Sequence, residues 1–423
     1  MDRLAITGSG PLAGTVPIGG AKNSALKVMA ASLLADGPSV IENVPRIADC
    51  FTMAEVLEHL GAGVSWDGTT LTIDARDAAG VETPYELVRQ MRASIVVLGP
   101  LLARGGRARV AMPGGCNIGS RKIDLHLKGF ERMGVEFSYE HGYLNAKAPS
   151  LHGAVVSLDF PSVGATENIL MAAVGAAGTT VIENAAREPE IQDLARMLSE
   201  MGAKIDGAGT TAIEIQGGTA FRGVRHRVVP DRIEAGTYAI AVCATGGDIV
   251  LRDARADHLD LVLAKLADAG AEIEVDPAGL RVKLSGRARA VDFVTLPYPG
   301  FPTDLQPQMM ALLATARGTG IATENVFESR FMFVDELNRM GADIRTEGHH
   351  AVIRGVDRLS AAPVRAPDLR AGAALVIAGL TADGVTEISG AYHLDRGYQD
   401  LEGKLAALGA QVRREREPVS TAS

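Results

Sequence analysis

Leu57-Glu58-His59-Leu60-Gly61-Ala62 decides the fold, because the chain repeats this phrase five more times in closely related form. The other copies are Phe130–Val135, Leu198–Ala203, Leu266–Ala271, Leu337–Ala342 and Leu405–Ala410. Their glycines, Gly61, Gly134, Gly202, Gly270, Gly341 and Gly409, are 73, 68, 68, 71 and 68 residues apart. An apolar residue four positions before a glycine, with a small residue after it, is how a helix ends on a left-handed residue. A constant period of this kind marks one supersecondary unit used six times. Each copy therefore serves as a control for the rest.

Composition bounds what such a chain can do. Its 423 residues divide naturally into two domains of three units, and 47% hydrophobic residues supply a core for each. A net charge of −9 with 4% aromatic residues excludes a basic stripe with stacking rings, so nucleic acid is not an expected partner. Cys50, Cys116 and Cys243 are odd in number and widely spaced, which suggests neither a disulfide framework nor a zinc site. A reducing cytoplasm fits that usage. No apolar run reaches membrane-spanning length, and the start carries no signal-peptide pattern. The Arg/Glu-rich tail after Gln411 reads as frayed.

Within the first copy, Asn23–Ala35 reads as a helix closed by Gly37, Ser39–Ile41 as a strand and Ala48–Leu60 as a second helix. Val64–Trp66 and Thr70–Ile73 then flank an Asp67-Gly68 hairpin turn. The third copy repeats the order with Thr166–Ala177, Thr180–Ile182, Ile191–Met201 and a hairpin near Gly207. Parallel crossovers are right-handed, so both helices of a unit start at the carboxyl edge of its strands. Fourteen residues before the glycine closing each first helix stand Asn23, Arg92, Gly164, Arg232, Asp304 and Arg370. None is apolar, which suits first turns that border a ligand crevice, while at any single position plain capping or a solvated first turn explains the residue equally well. Just before each second helix stands an arginine: Arg46, Arg121, Arg187, Arg255, Arg330 and Arg396. A cation at a helix start opposes the macrodipole unless an anion lies between them.

One copy breaks the pattern. From first-helix to second-helix glycine the interval is 24 residues in three copies, 23 and 25 in two, and 28 between Gly106 and Gly134. The surplus falls in Pro113-Gly114-Gly115-Cys116-Asn117-Ile118-Gly119-Ser120-Arg121, a glycine-rich loop that offers one thiol and one arginine. A cysteine beside a cation has a depressed pKa and is a candidate acid and nucleophile. Cys50 and Cys243, inside helical runs, read as small buried hydrophobes.

These motifs resemble the enolpyruvyl transferases, in particular the branch whose acceptor is UDP-N-acetylglucosamine. Gly19-Gly20-Ala21-Lys22-Asn23, Met91-Arg92-Ala93-Ser94-Ile95 and the Cys116 loop with Asp124-Leu125-His126 carry the first part of the likeness. Pro161–Thr166, Glu183–Glu190, Phe301-Pro302-Thr303-Asp304, Asp368-Leu369-Arg370-Ala371 and Asp395-Arg396-Gly397-Tyr398 carry the rest. The resemblance implies an α/β fold of two similar inside-out α/β barrel domains, each of three βαβαββ units, closing over an interdomain cleft. Residues 20–228 would form one domain, carrying the Cys116 loop; residues 1–19 and 229–423 would form the other.

The implied reaction moves the enolpyruvyl group of phosphoenolpyruvate to the sugar 3-hydroxyl through a tetrahedral ketal, releasing phosphate. The resemblance gives Lys22, Arg121 and Arg396 to phosphate and carboxylate, Asp304 to the hydroxyl proton, and Cys116 to protonation at C3 and adduct formation. It assigns substrate contacts to Asn23, Arg92, Lys122, Ile123, Asp124, Leu125, Ser162, Val163 and Gly164, and to Val326, Arg330, Asp368 and Arg370. No cofactor or metal is implied. The chain departs from the family pattern at Lys122-Ile123, where many members have Pro-Val, and at Val96, where many have Trp. Alternatives are another acceptor, a second nucleotide sugar or 3-phosphoshikimate, or a non-catalytic nucleotide-sugar-binding paralogue. The cysteine loop argues against 3-phosphoshikimate. Retention of Cys116, Asp304 and Lys22 together argues for an enzyme.

Overall fold

All six signature glycines take a left-handed backbone, with φ of 95°, 85°, 119°, 111°, 91° and 91° from Gly61 to Gly409. In every copy the residue after the glycine donates its N–H five residues back, as Ala203 does to Leu198 O at 2.9 Å and Ala271 to Leu266 O at 2.9 Å. The glycine N–H bonds three residues back, as Gly270 does to Ala267 O at 2.9 Å. This double bond pattern is the Schellman cap, which satisfies the last carbonyls of the helix.

The computed structural model describes residues 2–112, 123–218 and 220–416, the side chains of residues 89, 90 and 92–94 excepted. Two compact units divide the described chain: residues 20–112 with 123–229, and residues 2–19 with 230–416. Each has its own hydrophobic core.

The complete third copy shows the repeat. Strand Val155–Ser157 leads into an inner helix, Val163–Ala173, and then into strand Thr179–Glu183, which pairs parallel with the first. An outer helix, Pro189–Met201, follows, and then the hairpin of Lys204–Asp206 and Ala212–Gln216. The inner helices are mainly apolar, and their polar residues gather in the first two turns, so most of each helix must be buried. Leu369–Thr381 and Arg232–Thr245 are buried along nearly their whole length. The hairpin strands alternate buried and exposed residues, with one face on the helices and one in water.

Two strands leave their place in the chain order. Leu12–Pro17 precedes the first inner helix, Lys22–Ala31, yet pairs parallel with Gly247–Arg252 of the fourth copy. Arg225–Arg227 precedes the fourth inner helix, yet pairs parallel with Pro38–Glu42 of the first. The amino-terminal strand Asp2–Thr7 supplies the sixth copy with its last strand, between Val385–Ser389 and Gln411–Arg416.

Several local expectations shift. Residues 411–416 are not frayed: they pair with Asp2–Thr7, and Arg3 bridges Glu415 and Glu387 at 2.9 and 2.8 Å, turning the charge run into cross-strand pairs. The first inner helix is Lys22–Ala31 with a 3₁₀ turn at Ser32–Leu34, a common tightening at a helix end. The third inner helix starts at Val163, because the Ser162 hydroxyl caps it by accepting from Ala165 N. In the first hairpin Asp67 pairs with Thr70, so Gly68-Thr69 forms the tip and Gly68 takes φ 58°.

A Cβ added to Gly270 or Gly409 would meet nothing within 4 Å, so substitution there reports backbone conformation alone. Gly270→Ala should cost roughly 1–2 kcal/mol, and Gly270→Asn less. Gly153→Ala should cost more than either, because its Cβ would lie 2.2 Å from Thr179 O. Urea unfolding of the three variants checks the order.

Candidate functional site

In the unit of residues 230–416 the first turns of three inner helices gather charge. Asp304 sits in a 3₁₀ turn, Thr303–Leu305, that opens the helix Gln306–Leu313. Arg330 Nη2 lies 2.9 Å from Asp304 Oδ1, and Arg370 Nη2 lies 3.1 Å from Oδ2. Both arginine side chains are only 4% exposed. Burial works against the Arg370 charge, but Asp304, Tyr398 and Asp231 outweigh it and hold its pKa above the ordinary guanidinium value. Arg330 Nη1 also donates to Thr303 Oγ1 at 2.9 Å, and that hydroxyl donates to the buried Glu324 at 2.9 Å. Glu324 in turn accepts from Val326 N at 2.8 Å, which fixes Val326 in the same loop. Asp368 caps Leu369–Thr381 by accepting from Arg370 N and Ala371 N, which sets the first turn bearing Arg370.

Arg396 follows the short helix Tyr392–Asp395, and Arg414 grips the preceding Asp395 at 2.6 Å. Around His393 of that helix, burial comes first and Arg396 second in pushing the imidazole pKa down.

In the unit of residues 20–229, Lys22 opens its helix with Nζ 2.8 Å from Asp49 Oδ2, both side chains buried. Asp49 lies in the first turn of the outer helix Ala48–His59, where an anion suits the macrodipole. Lys27, one turn on, donates to Asn23 O at 2.7 Å and faces Glu167 Oε2 at 3.3 Å. Glu167 is fully buried; its pKa is pushed up to about 7 by burial, against the pull of Lys27.

Ser162, Val163 and Gly164 form the start of the third inner helix. A Cβ on Gly164 would stand 3.3 Å from His126 Cε1 and Nε2, so glycine admits the ring. Asn168 Oδ1 accepts from Gly99 N at 2.7 Å; its amide nitrogen therefore donates to Ile95 O at 3.0 Å and to His126 Nδ1 at 3.1 Å. Since Nδ1 accepts, the ring carries a proton on Nε2, the atom turned toward Gly164. Ile123, Asp124 and Leu125 stand at the start of helix Asp124–Arg132. Arg92 begins the 3₁₀ segment Arg92–Val97. Cys116, Arg121 and Lys122 lie outside the described residues.

Thus Asp304, Arg330 and Arg370 share one cluster, while Lys22 and Ser162–Gly164 open two buried helices of the other unit. The arginine register divides. Arg46 stacks over Phe51 and Trp66 at 5.1 and 5.3 Å and donates to Gly68 O, and Arg255 pairs with Asp257 at 2.5 Å. Arg187 donates to Gly209 O at 3.4 Å. Three of the six are therefore held by local partners. Sequence reasoning missed Asp49, Glu324 and Gln308. Their signal was a polar residue at the start of an apolar helix or the end of an apolar strand, which reads as capping until its partner is known. Among the described residues no group of three His, Cys, Asp or Glu side chains could hold a metal ion, and no helix is long and apolar enough to cross a membrane.

Residues 6–405 match the family model described as EPSP synthase (3-phosphoshikimate 1-carboxyvinyltransferase). The chain belongs to this family. Its relatives include "UDP-N-acetylglucosamine 1-carboxyvinyltransferase 2" of Carboxydothermus hydrogenoformans, 55% identical over 98% of this chain and 99% of that protein. "UDP-N-acetylglucosamine 1-carboxyvinyltransferase" of Geobacter metallireducens is 53% identical over 99% and 100%. Among solved structures, the enolpyruvyl transferase NikO from Streptomyces tendae matches with TM-score 0.89 and 28% identity over 99% of both chains. EPSP synthase from Acinetobacter baumannii matches with TM-score 0.74 and 18% identity over 98% and 100%, a likeness of fold. The family fold therefore extends over the whole described chain, both arginine-held Asp304 and the Lys22–Asp49 pair included.

One further cluster anchors the helix that carries Lys22. Asp193 accepts from the Ser24 hydroxyl, from Arg196, from His226 Nε2 at 3.1 Å and from Val229 N at 3.3 Å; His226 Nδ1 faces Glu200 at 3.1 Å. Burial opposes the His226 charge, but the two carboxylates prevail and raise its pKa above 6.5. Burial likewise opposes the Asp193 charge, and His226, Ser24 and Arg196 prevail, lowering its pKa below 3.8. The histidine contribution is complete below 6.5 and is lost as pH rises through its raised value; the aspartate contribution is complete above 3.8 and is lost as pH falls through its lowered value. His226→Gln should therefore destabilise the protein most between about pH 4 and 6.5, and progressively less as pH rises through the raised histidine value. Urea unfolding of parent and variant at pH 5.5 and 9 measures the difference, which should shrink at the higher pH.

Proposed function

We propose that the protein transfers the enolpyruvyl group of phosphoenolpyruvate to the 3-hydroxyl of UDP-N-acetylglucosamine, the first committed step of peptidoglycan synthesis, and works in the cytoplasm. The observation that carries this reading is 53–55% identity, over nearly the full length, to proteins named UDP-N-acetylglucosamine 1-carboxyvinyltransferase. The EPSP synthase structure, at 18% identity, speaks for the fold and not for the acceptor.

In the proposed reaction the sugar hydroxyl oxygen adds to C2 of phosphoenolpyruvate while C3 takes a proton. A tetrahedral ketal results; loss of a C3 proton then expels phosphate and restores the alkene. Asp304 accepts the hydroxyl proton, which its two arginine partners support by fixing both carboxylate oxygens. Cys116 delivers the proton to C3 and can add to phosphoenolpyruvate itself. Lys22, Arg121 and Arg396 hold phosphate and carboxylate, a dense anion that cations stabilise best where water is excluded. Asn23, Arg92, Lys122, Ile123, Asp124, Leu125, Ser162, Val163, Gly164, Val326, Arg330, Asp368 and Arg370 bind or shape the acceptor site.

Phosphate release from phosphoenolpyruvate should require UDP-N-acetylglucosamine and should not proceed with 3-phosphoshikimate; the reverse preference would refute the assignment. In the same assay Lys22→Ala and Arg396→Ala should each lose roughly 2–5 kcal/mol of transition-state stabilisation. Arg46→Ala and Arg255→Ala, whose guanidiniums have local partners, should lose far less.

The thiol gives a separate test. A phosphonate epoxide shaped like phosphoenolpyruvate should alkylate Cys116 in one equivalent, faster with the nucleotide sugar bound. Cys50 is buried, and burial pushes the Cys243 thiol up to about 12, so neither should react. Peptide mapping reads the site, and a label on Cys50 or Cys243 would remove Cys116 from the mechanism.

A further inference from the structure

Tyr398 is buried against the first two turns of three inner helices. Its hydroxyl lies 2.9 Å from Thr237 Oγ1, 3.2 Å from Gln308 Nε2 and 3.4 Å from Arg370 Nη1. Thr237 stands on Arg232–Thr245, Gln308 on Gln306–Leu313 and Arg370 on Leu369–Thr381. The direction of each bond follows from the donors available. Thr237 Oγ1 donates its one proton to Ile233 O at 2.8 Å, so in the contact with Tyr398 the phenol must donate. The phenol oxygen is then left to accept, from Gln308 Nε2 and from the Arg370 guanidinium. Gln308 Nε2 shares its two protons among the phenol, Thr237 Oγ1 at 3.1 Å and the backbone oxygen of Asp304 at 3.0 Å, and Arg370 Nη2 reaches the Asp304 carboxylate at 3.1 Å. One phenol oxygen is thus joined to both ends of Asp304, to its main chain through Gln308 and to its carboxylate through Arg370. The charged groups facing this cluster are Asp304, Arg330, Arg370 and Asp231.

We propose that Tyr398 is a positioning residue for the proton transfer at Asp304, its hydroxyl aligning Arg370 and Gln308 so that the carboxylate is held in one orientation. The inference rests on the role given to Asp304 above. Tyr398 touches no reacting atom in this account and acts through its two donors. Removing the phenol oxygen takes this acceptor from a buried Arg370 N–H and leaves Gln308 Nε2 to Asp304 O and Thr237 Oγ1 alone, so only the guanidinium loses its partner there. Arg370 then turns away from Asp304 Oδ2, and a carboxylate that loses a cationic neighbour is harder to keep ionised.

The fold supplies its own control. Tyr238, adjacent to Thr237 on the same helix, is equally buried, but its hydroxyl has no hydrogen-bond partner among the described residues. Tyr398→Phe and Tyr238→Phe each delete one buried oxygen from the same core. Steady-state kinetics from pH 5 to 9, well below the melting temperature of each variant, separate them. Tyr398→Phe should lower kcat about tenfold, leave KM for phosphoenolpyruvate within about threefold, and move the acid limb of the kcat profile up by about half a pH unit or more. Thr237→Val, which removes the acceptor of the phenol proton, should move the limb in the same direction. Tyr238→Phe should leave the kinetics at the parental values.

Asp304→Asn divides the possible failures. If it abolishes turnover while Tyr398→Phe keeps the parental limb, the positioning role of Tyr398 falls and the assignment of Asp304 stands. If Asp304→Asn turns over normally, the assignment of Asp304 falls and the role of Tyr398 with it. Equal loss of kcat in Tyr238→Phe and Tyr398→Phe with no movement of either limb would reduce the effect to general core damage and overturn the proposal.

Discussion

The structure depends on helices that are buried around their full circumference. A helix with one apolar stripe can lie on a sheet and face water on its other side; Leu369–Thr381 and Arg232–Thr245 are buried on every side along nearly their whole length. One βαβαββ unit cannot cover such a helix, so three units pool theirs and keep the sheets outside. The strand exchanges obey the same constraint. Each inner helix needs a strand before it and a parallel strand after it, and Leu12–Pro17 and Arg225–Arg227 complete the fourth and first sheets from distant points in the chain.

Burying whole helices creates the chemical opportunity. The first turn of each inner helix leaves N–H groups unpaired and admits charge only where that charge has partners. Asp304 meets this condition with two arginines and Lys22 with Asp49, and one turn further on Lys27 meets it with Glu167. Such ions have lost much of their hydration, so each bond is electrostatically strong and each orphaned partner costly. Exposed pairs such as Arg255–Asp257 or Lys128–Asp159 lack that leverage. The same repeat thus carries arginines of two kinds: Arg330 in a buried cluster, and Arg46 and Arg255 held at the surface by a hairpin and a neighbouring carboxylate.

Much of the local structure was legible in the sequence, because its determinants are local. The six glycines announce their left-handed caps, since only a residue without Cβ takes that backbone at little cost, and all six do so. The hairpin at residue 68 and the helix near 163 were legible to within a few residues. Their ends moved because a glycine φ and a serine cap decide the last position, and a hydropathy pattern does not resolve either. The tail was misread for a related reason. Residues 411–416 alternate charges as a solvated segment does, and only the strand at residues 2–7, some four hundred positions away, supplies the partners.

The site followed the same division. By itself the sequence determined the period, the caps, the one copy with an extended cysteine loop, and the polar residues that begin each inner helix, because each is a property of neighbours along the chain. Tertiary structure decided which of those polar residues meet. Asp304 has the sequence of a plain helix cap, and it becomes the centre of a cluster because Arg330 and Arg370, 26 and 66 residues later, converge on its two oxygens. Tyr398 has the sequence of an ordinary core aromatic, and its hydroxyl joins three helices because their packing brings residues 237, 308 and 370 within reach of one atom. Pairing energies depend on distance and desolvation, and both are set by the packing of helices far apart in sequence.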